Sequence, residues 1–354
     1  MLAVLPFQLG YHPRSCVVAV SLRGRTVGLV ARTDLPPDQH AGAAVATLVG
    51  PLCRDGATSV IVIGYEDEPE ASQPALVALV EQLEAASVEV VDVVVVRDGR
   101  RYSPICSDPC CPPDGVPLPD PADVPAVAEL VALGRAPLES RDAVEALVVP
   151  HPELSRGVAD AVATRSRMPR RRRRAAAAWR LVLRPEGEPG GLVPGGGPAA
   201  WRAEVVADAA LGLADISWRD GVVAWLAPGV LPMSKLDRHV VALLHATLPT
   251  WGGMGPEPGS ERYLHERPVL LRRLLDLCRA LPDECGPEAA AVCTVAAHVA
   301  WVEGDGAVAR AAVDRALRLA PGYTLALLLL RLIDAGIRVQ PTGPEEEETF
   351  DRAG

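Results

Sequence analysis

Aromatic residues are scarce. Phe, Trp and Tyr together make up 4% of the 354 residues, too few rings for a platform that stacks single-stranded nucleic acid. Lysine is nearly missing: Lys235 is the only one, and every other basic side chain is arginine. This bias, with abundant alanine, valine and proline, marks a high-GC genome and carries little functional meaning. Positive charge is not in excess either. The formal net charge of −10 argues against polyanion binding by the whole chain. Apolar runs stay well short of the ~18 residues of a membrane span; Leu325 to Leu330 is stopped by Arg331. No basic segment followed by a long apolar stretch opens the chain, so no signal peptide is expected. Gly-x-Ser-x-Gly, the phosphate-loop lysine motif and the dinucleotide glycine fingerprint are all missing. Gly195-Gly196-Gly197-Pro198 has no strand feeding it and reads as a linker.

The residues that are present suit a globular chain. They are 49% hydrophobic and 23% charged, enough for a sizeable core. At about 150 residues per domain, two domains are expected. Eight cysteines without an export signal read as reduced thiols in a cytoplasm. Cys16, Cys53, Cys278 and Cys293 fall in apolar stretches and read as small core hydrophobes.

Periodicity supplies the elements. A short helix over Leu2 to Leu9 ends at Gly10. Ser15 to Leu22 and Thr26 to Leu35 form a hairpin around Arg23-Gly24-Arg25. Helix Asp38 to Cys53, strand Ser59 to Tyr65, helix Pro74 to Ala86 and strand Val88 to Arg97 follow. Asp98-Gly99 then turns the chain into a short strand, Arg101 to Ile105. Strands joined through helices run parallel, so this is a mixed α/β (α+β) sheet domain over residues 1–150. Residues 151–198 read as an Arg-rich helix and a Gly/Pro linker, Glu186 to Pro198. Residues 199–336 read as an all-α domain, and 337–354 as an acidic disordered tail.

Several phrases resemble a known family. Leu5-Pro6-Phe7-Gln8-Leu9-Gly10-Tyr11-His12-Pro13, with Ser15 and the strand Val17 to Leu22, is similar to the start of the actinobacterial domain of unknown function 4192. Ala31-Arg32-Thr33-Asp34-Leu35-Pro36, the loop Cys106 to Gly115, Gly134-Arg135-Ala136-Pro137 and Trp301-Val302-Glu303-Gly304-Asp305-Gly306-Ala307 match in order. The resemblance covers most of the chain and brings no assigned activity. Ala297 to Pro321 also resembles one tetratricopeptide unit, with small residues at Ala309 and Ala316 where two helices approach. One such unit forms no groove, so the expectation is packing on neighbouring helices.

Chain direction gathers the polar candidates. The start of the first strand lies beside the end of the second, and the parallel strands end at the same border. His12, Arg14, Ser15, Arg32, Asp34, Tyr65, Glu66 and Arg97 should therefore share one rim, where ligands favour strand carboxyl ends. In a catalytic reading His12, Asp34 and Glu66 are the acid–base candidates. Arg14, Ser15, Arg32, Tyr65 and Arg97 would hold a small anion, with arginine forks on a carboxylate or phosphate. In the plainer reading His12 sits in a turn and Arg32 pairs with Asp34.

Cys106, Cys110 and Cys111 form the most metal-like feature. Zinc needs four donors, usually from paired short spacings, and no second pair is present. A proline-stiffened turn with packed thiols is therefore preferred to zinc or a redox pair; no cofactor is assigned, and zinc stays open. His12 should lie at the opposite rim. The seven arginines from Arg165 to Arg174 read as a solvated or internally paired helix, with a protein partner next and nucleic acid last. Trp218 and Trp225 are seven apart and share a helical face. With Trp251 and Trp301 they read as core, or else as an interaction stripe. The expectation is a non-catalytic protein-interaction or assembly module, binding a protein partner or itself. A small-anion-binding protein, hydrolase or transferase is the alternative.

Overall fold

The computed structural model describes residues 1–24, 26–106, 108–184, 201–249 and 261–337. The expected linker Glu186 to Pro198, Trp251 and the acidic tail lie outside these residues. The chain divides into two compact units, Met1–Pro150 with Gly304–Ile337, and His151–Glu303.

The first unit runs α1 (Leu5–Leu9), β1 (Cys16–Arg23), β2 (Thr26–Asp34), α2 (Ala41–Arg54), β3 (Ser59–Tyr65) and α3 (Gln73–Ala85). It continues with β4 (Glu89–Arg97), β5 (Arg100–Tyr102), β6 (Val116–Pro117), α4 (Pro125–Ala132) and α5 (Arg141–Ala146). The sheet order is β2-β1-β3-β4-β5-β6. β1 is antiparallel to both neighbours, β3 and β4 are parallel, and β5 and β6 are antiparallel additions. The mixed sheet expected from the element order is present. The last expected strand stops at Tyr102, and β6 had no apolar run to announce it.

β1 is apolar at every position through Val20 because it is buried on both faces. Val17 and Ala19 lie under α2 and α3, which contribute Val45, Leu48, Leu52, Leu76, Leu79 and Leu83. Each such leucine contributes roughly 1.5–3 kcal/mol by leaving water. Cys16, Val18 and Val20 face the other way, into a smaller core with Leu5, Ile63, Tyr65, Val94 and Val96. Gly64 allows close approach on β3: a Cβ there would overlap Ser72 and press on Leu76.

The second unit contains α6 (Val158–Arg165), α7 (Arg171–Val182), α8 (Ala203–Gly212), α9 (Ile216–Leu226), α10 (Arg238–Thr247), α11 (Glu261–Ala280) and α12 (Gly286–Val302). Gly212 lets Ala175 of α7 come close to α8, and Gly221 does the same for Val240 and Leu244 of α10. Trp179, Trp218 and Trp225 are buried. Trp218 and Trp225 therefore form no surface stripe, and Trp301 is half-buried. The Trp225 indole N–H donates to the Pro249 carbonyl at 3.0 Å, and its ring meets His245 edge-on. Three arginines of the run pair internally, Arg165 and Arg174 with Asp208 and Arg172 with Asp215, while Arg167, Arg170 and Arg173 are exposed. Among the described residues, one helical stretch, Asp283–Val302, is long and apolar enough to cross a membrane; most of it is buried.

The chain then returns to the first unit as α13 (Gly306–Leu319) and α14 (Thr324–Asp334). This departs from the expected helical domain over 199–336. It also divides the hairpin expected over Ala297 to Pro321, since α12 belongs to the second unit and α13 to the first. The reason lies in the partners of α13. Its small face (Ala309, Ala312 and Ala316) is buried, and α13 packs on α14 and α5. Buried Arg315 donates to the Val148 carbonyl at 2.5 Å. Arg54 of α2 donates to the Ala335 carbonyl just after α14, at 3.0 Å.

Candidate functional site

Register brings the expected border together. Cys16 sits opposite Asp34 on one side and Tyr65 on the other, and Tyr65 sits opposite Val96. Ser15, Asp34, Glu66 and Arg97 therefore lie at neighbouring strand ends, with Arg32 and Tyr65 just inside.

Glu66 organises one half of this border. Its side chain is 2% exposed, and its Oε2 accepts from the Ser72 N–H at 3.0 Å and the Ser72 hydroxyl at 2.7 Å. Oε1 accepts from Arg97 at 2.7 Å and from the Glu70 N–H at 3.3 Å. The Arg97 guanidinium also lies over the Tyr102 ring, 4.6 Å from its centroid. A carboxylate this fully engaged holds the 66–72 turn onto the sheet. Gly64 makes it possible by leaving room for Ser72.

The other half is a charge chain. Asp34 pairs with Arg32 and, at 2.7 Å, with Arg141 at the start of α5. The Arg32 guanidinium lies over Tyr11, 5.9 Å from the ring centroid. Beneath it, burial pushes the Cys16 thiol above its ordinary pKa, against the pull of Arg32. Burial likewise raises the Tyr65 hydroxyl, which finds no hydrogen-bond partner among the described residues, nor does the Arg32 Nε. Ser15 has a left-handed backbone with φ of 41°, and its hydroxyl donates to Asp67 at 2.5 Å. Such a conformation in a non-glycine residue costs of order 1 kcal/mol or more.

His12 is exposed and has no carboxylate partner among the described residues. Its backbone N–H donates to the Leu138 carbonyl at 3.0 Å, and the Leu138 N–H donates to Gly10 at 2.8 Å. It sits in a turn tied to the 135–138 segment. Arg14 is exposed beside it. Tyr11, Cys16, Asp67, Ser72, Tyr102 and Arg141 join the site without being foreseen. Asp67 follows Glu66 directly and was findable; Arg141 is 107 residues from Asp34 and left no local signal.

The cysteine loop leaves β5 at the end of that strand opposite the Arg97–Arg100 turn. Its three sulfur atoms lie within 4.8 Å of one another. Cys110 Sγ and Cys111 Sγ are 3.9 Å apart, and Cys106 Sγ is 3.8 Å from Asp108 Oδ2. Cys110 is exposed, while Cys106 and Cys111 are half-buried. The sulfurs of this proline-rich turn lie against one another. The adjacent cysteines converge because a turn, closed by Cys111 N–H to Asp108 carbonyl at 2.8 Å, folds both toward Cys106. Hydrogen bonding with Cys106, foremost, pushes the Cys111 thiol up to about 11.

Comparison with known proteins found no matching curated protein and no matching solved structure. A family model described as Domain of unknown function (DUF4192) matches residues 1–251 and 260–340. With nearly its whole length matched, the chain belongs to this family.

Proposed function

We propose that the protein is a non-catalytic interaction or assembly module and that its first unit associates with a second copy through α4. One observation carries this reading. α4 is an apolar helix, Pro-Ala-Val-Ala-Glu-Leu-Val-Ala, that buries only Val127. Val131 is 54% and Leu133 38% exposed. An isolated exposed leucine means little, but a short helix with apolar residues around most of its girth normally has a covering surface. The mutual pairing of the rim charges supports the same reading, because Arg32, Asp34, Glu66 and Arg97 are engaged with other side chains. Eight free thiols are in keeping with a reducing cytoplasm, and the single lysine with an actinobacterial source.

Native mass spectrometry and sedimentation of the full chain across micromolar concentrations test this. The expected result is a dimer that Val131→Arg or Leu133→Arg dissociates at least ten-fold. Melting of the monomer should stay unchanged, because both side chains already face solvent. A monomer at every concentration overturns self-association.

A second reading, a small-anion site at the strand border, is favoured by the unpartnered Tyr65 hydroxyl and Arg32 Nε. Both are donors, the groups through which a protein holds an anion. The same spectra would then show a co-purifying small acid, lost in Tyr65→Phe.

A further inference from the structure

We propose that the loop between β5 and β6 binds one thiophilic divalent cation, zinc above all, through the thiolates of Cys106, Cys110 and Cys111, with the Asp108 carboxylate in the fourth position. The spacing of the donors is the first argument. In a tetrahedral site with zinc–sulfur bonds of about 2.3 Å, neighbouring sulfurs lie about 3.8 Å apart. Cys110 Sγ and Cys111 Sγ lie 3.9 Å apart, and all three sulfurs fall within 4.8 Å. A sulfur–oxygen edge of the same tetrahedron is about 3.5 Å, and Cys106 Sγ to Asp108 Oδ2 is 3.8 Å. The three sulfurs are therefore near their coordinating geometry, and the Asp108 carboxylate, which lies beside Cys106 but outside the 4.8 Å group, has to turn inward to complete the set.

The second argument is what else fails to explain the cluster. Core packing does not, because Cys110 is exposed and Ile105, the one large aliphatic residue in the loop's sequence, is also exposed. A disulfide does not, because bonded sulfurs lie about 2.05 Å apart, far inside the observed 3.9 Å. The third argument is the support. Arg100 clamps the base of the loop by donating to the Asp114 carbonyl at 2.7 Å and the Gly115 carbonyl at 2.9 Å. The Cys106 N–H donates to the Ser103 hydroxyl at 3.2 Å. Pro104, Pro109, Pro112 and Pro113 limit the backbone further. A pre-set loop loses less entropy when an ion closes it. The ion replaces the thiol protons, and three thiolates with one carboxylate form a closed site without a coordination position for substrate, so its role is structural.

The test is elemental analysis of the full chain purified without chelator, joined to cobalt(II) titration of chelator-stripped protein. One zinc per chain is expected. Cys106→Ser, Cys110→Ser and Cys111→Ser should each lower bound zinc at least ten-fold, while Cys53→Ser, which changes an exposed cysteine outside the loop, should leave it unchanged. Cobalt should give thiolate charge-transfer absorption with the intense visible bands of a tetrahedral site. Asp108→Asn should alter those bands and weaken retention against a chelator by about ten-fold. If a serine variant does not fold, cobalt titration of the unsubstituted chain decides alone. No cobalt–thiolate absorption, zinc content independent of the three cysteines, or a Cys110–Cys111 disulfide without metal overturns the proposal.

Discussion

His298 shows how a single side chain ties the helical unit to pH. It is buried on α12, with its Nδ1 2.8 Å from the Thr294 carbonyl. Burial lowers its pKa to about 4, with Arg219 adding to the shift, while Thr294 and Asp220 oppose it. In the unfolded chain the ring returns to its ordinary value near 6.5. Between those values the unfolded state binds the extra proton, so stability is complete above about pH 6.5 and falls as pH drops toward 4. The expected loss is about 2 kcal/mol at pH 5 relative to pH 8. Urea unfolding of the full chain at the two pH values measures it. His298→Leu should remove most of the difference; an unchanged difference would show that another group titrates. Residue identity announced little of this. A histidine among alanines and valines suggests a core position only once the helix is known to be covered on all sides. Glu66 is similar. Its border position was legible from strand direction, but its engagement with Ser72 and Arg97 was not, because that depends on how the 66–72 turn folds back.

Elements were more legible than sites. The β1–β2 hairpin, β3, α3 and β4 follow from alternation, continuous apolar runs and 3.6-residue spacing, and their order gives the parallel pair. What periodicity did not supply is contact distance. Gly64 and Gly50 look equivalent as glycines inside apolar elements, yet their surroundings differ. At Gly64 a Cβ would run into Ser72 and Leu76, whereas at Gly50, on α2, the nearest atom beyond its chain neighbours would be the tip of Arg54 at 3.5 Å, an ordinary contact. Gly64→Ala should destabilise by about 1–3 kcal/mol through overpacking and loosen the Ser72 contact with Glu66. Gly50→Ala should be near neutral, within about 0.5 kcal/mol, since alanine's helix preference is offset by the crowding that Pro51 imposes on the residue before it. Denaturant midpoints at unchanged slope would separate the costly substitution from the near-neutral one. Arginine also acts at this scale. Arg267 donates to the Leu226 carbonyl at the end of α9, Arg273 to Val182 at the end of α7, and Arg315 to Val148 just beyond α5. Each places a cation at a helix C-terminus, where the last carbonyls have no partner within the helix and the macrodipole is negative. A chain with one lysine uses its planar guanidinium groups as caps between helices.

At the scale of the whole molecule, the first unit is interrupted: the chain leaves it at Pro150 and re-enters at Gly304. No linker marks the re-entry: α12 and α13 are both alanine-rich and joined by a short turn, α14 is leucine-rich, and long-range partners separate α13 and α14 from α12. Those partners make the arrangement testable. α13 and α14 bury Val308, Ala309, Val313, Ala316, Ala326 and Leu329. Arg54 and Arg315 link them to the first unit, and Gly336 lies against Leu29 and Pro51. A chain truncated after Glu303 should therefore exchange amide hydrogen faster at α5, α2 and β2. Protection of α7, α8 and α12 should be kept, since none of the named contacts involves them. Hydrogen–deuterium exchange with mass spectrometry reads both regions in one experiment. The tetratricopeptide-like pairing expected from sequence makes the opposite forecast, because α12 would then lose its partner helix. Loosening of α12 with α5 and α2 unchanged would return residues 304–337 to the helical unit. Loosening of α5 and α2 alone requires that the sheet unit be closed by its own C-terminal helices.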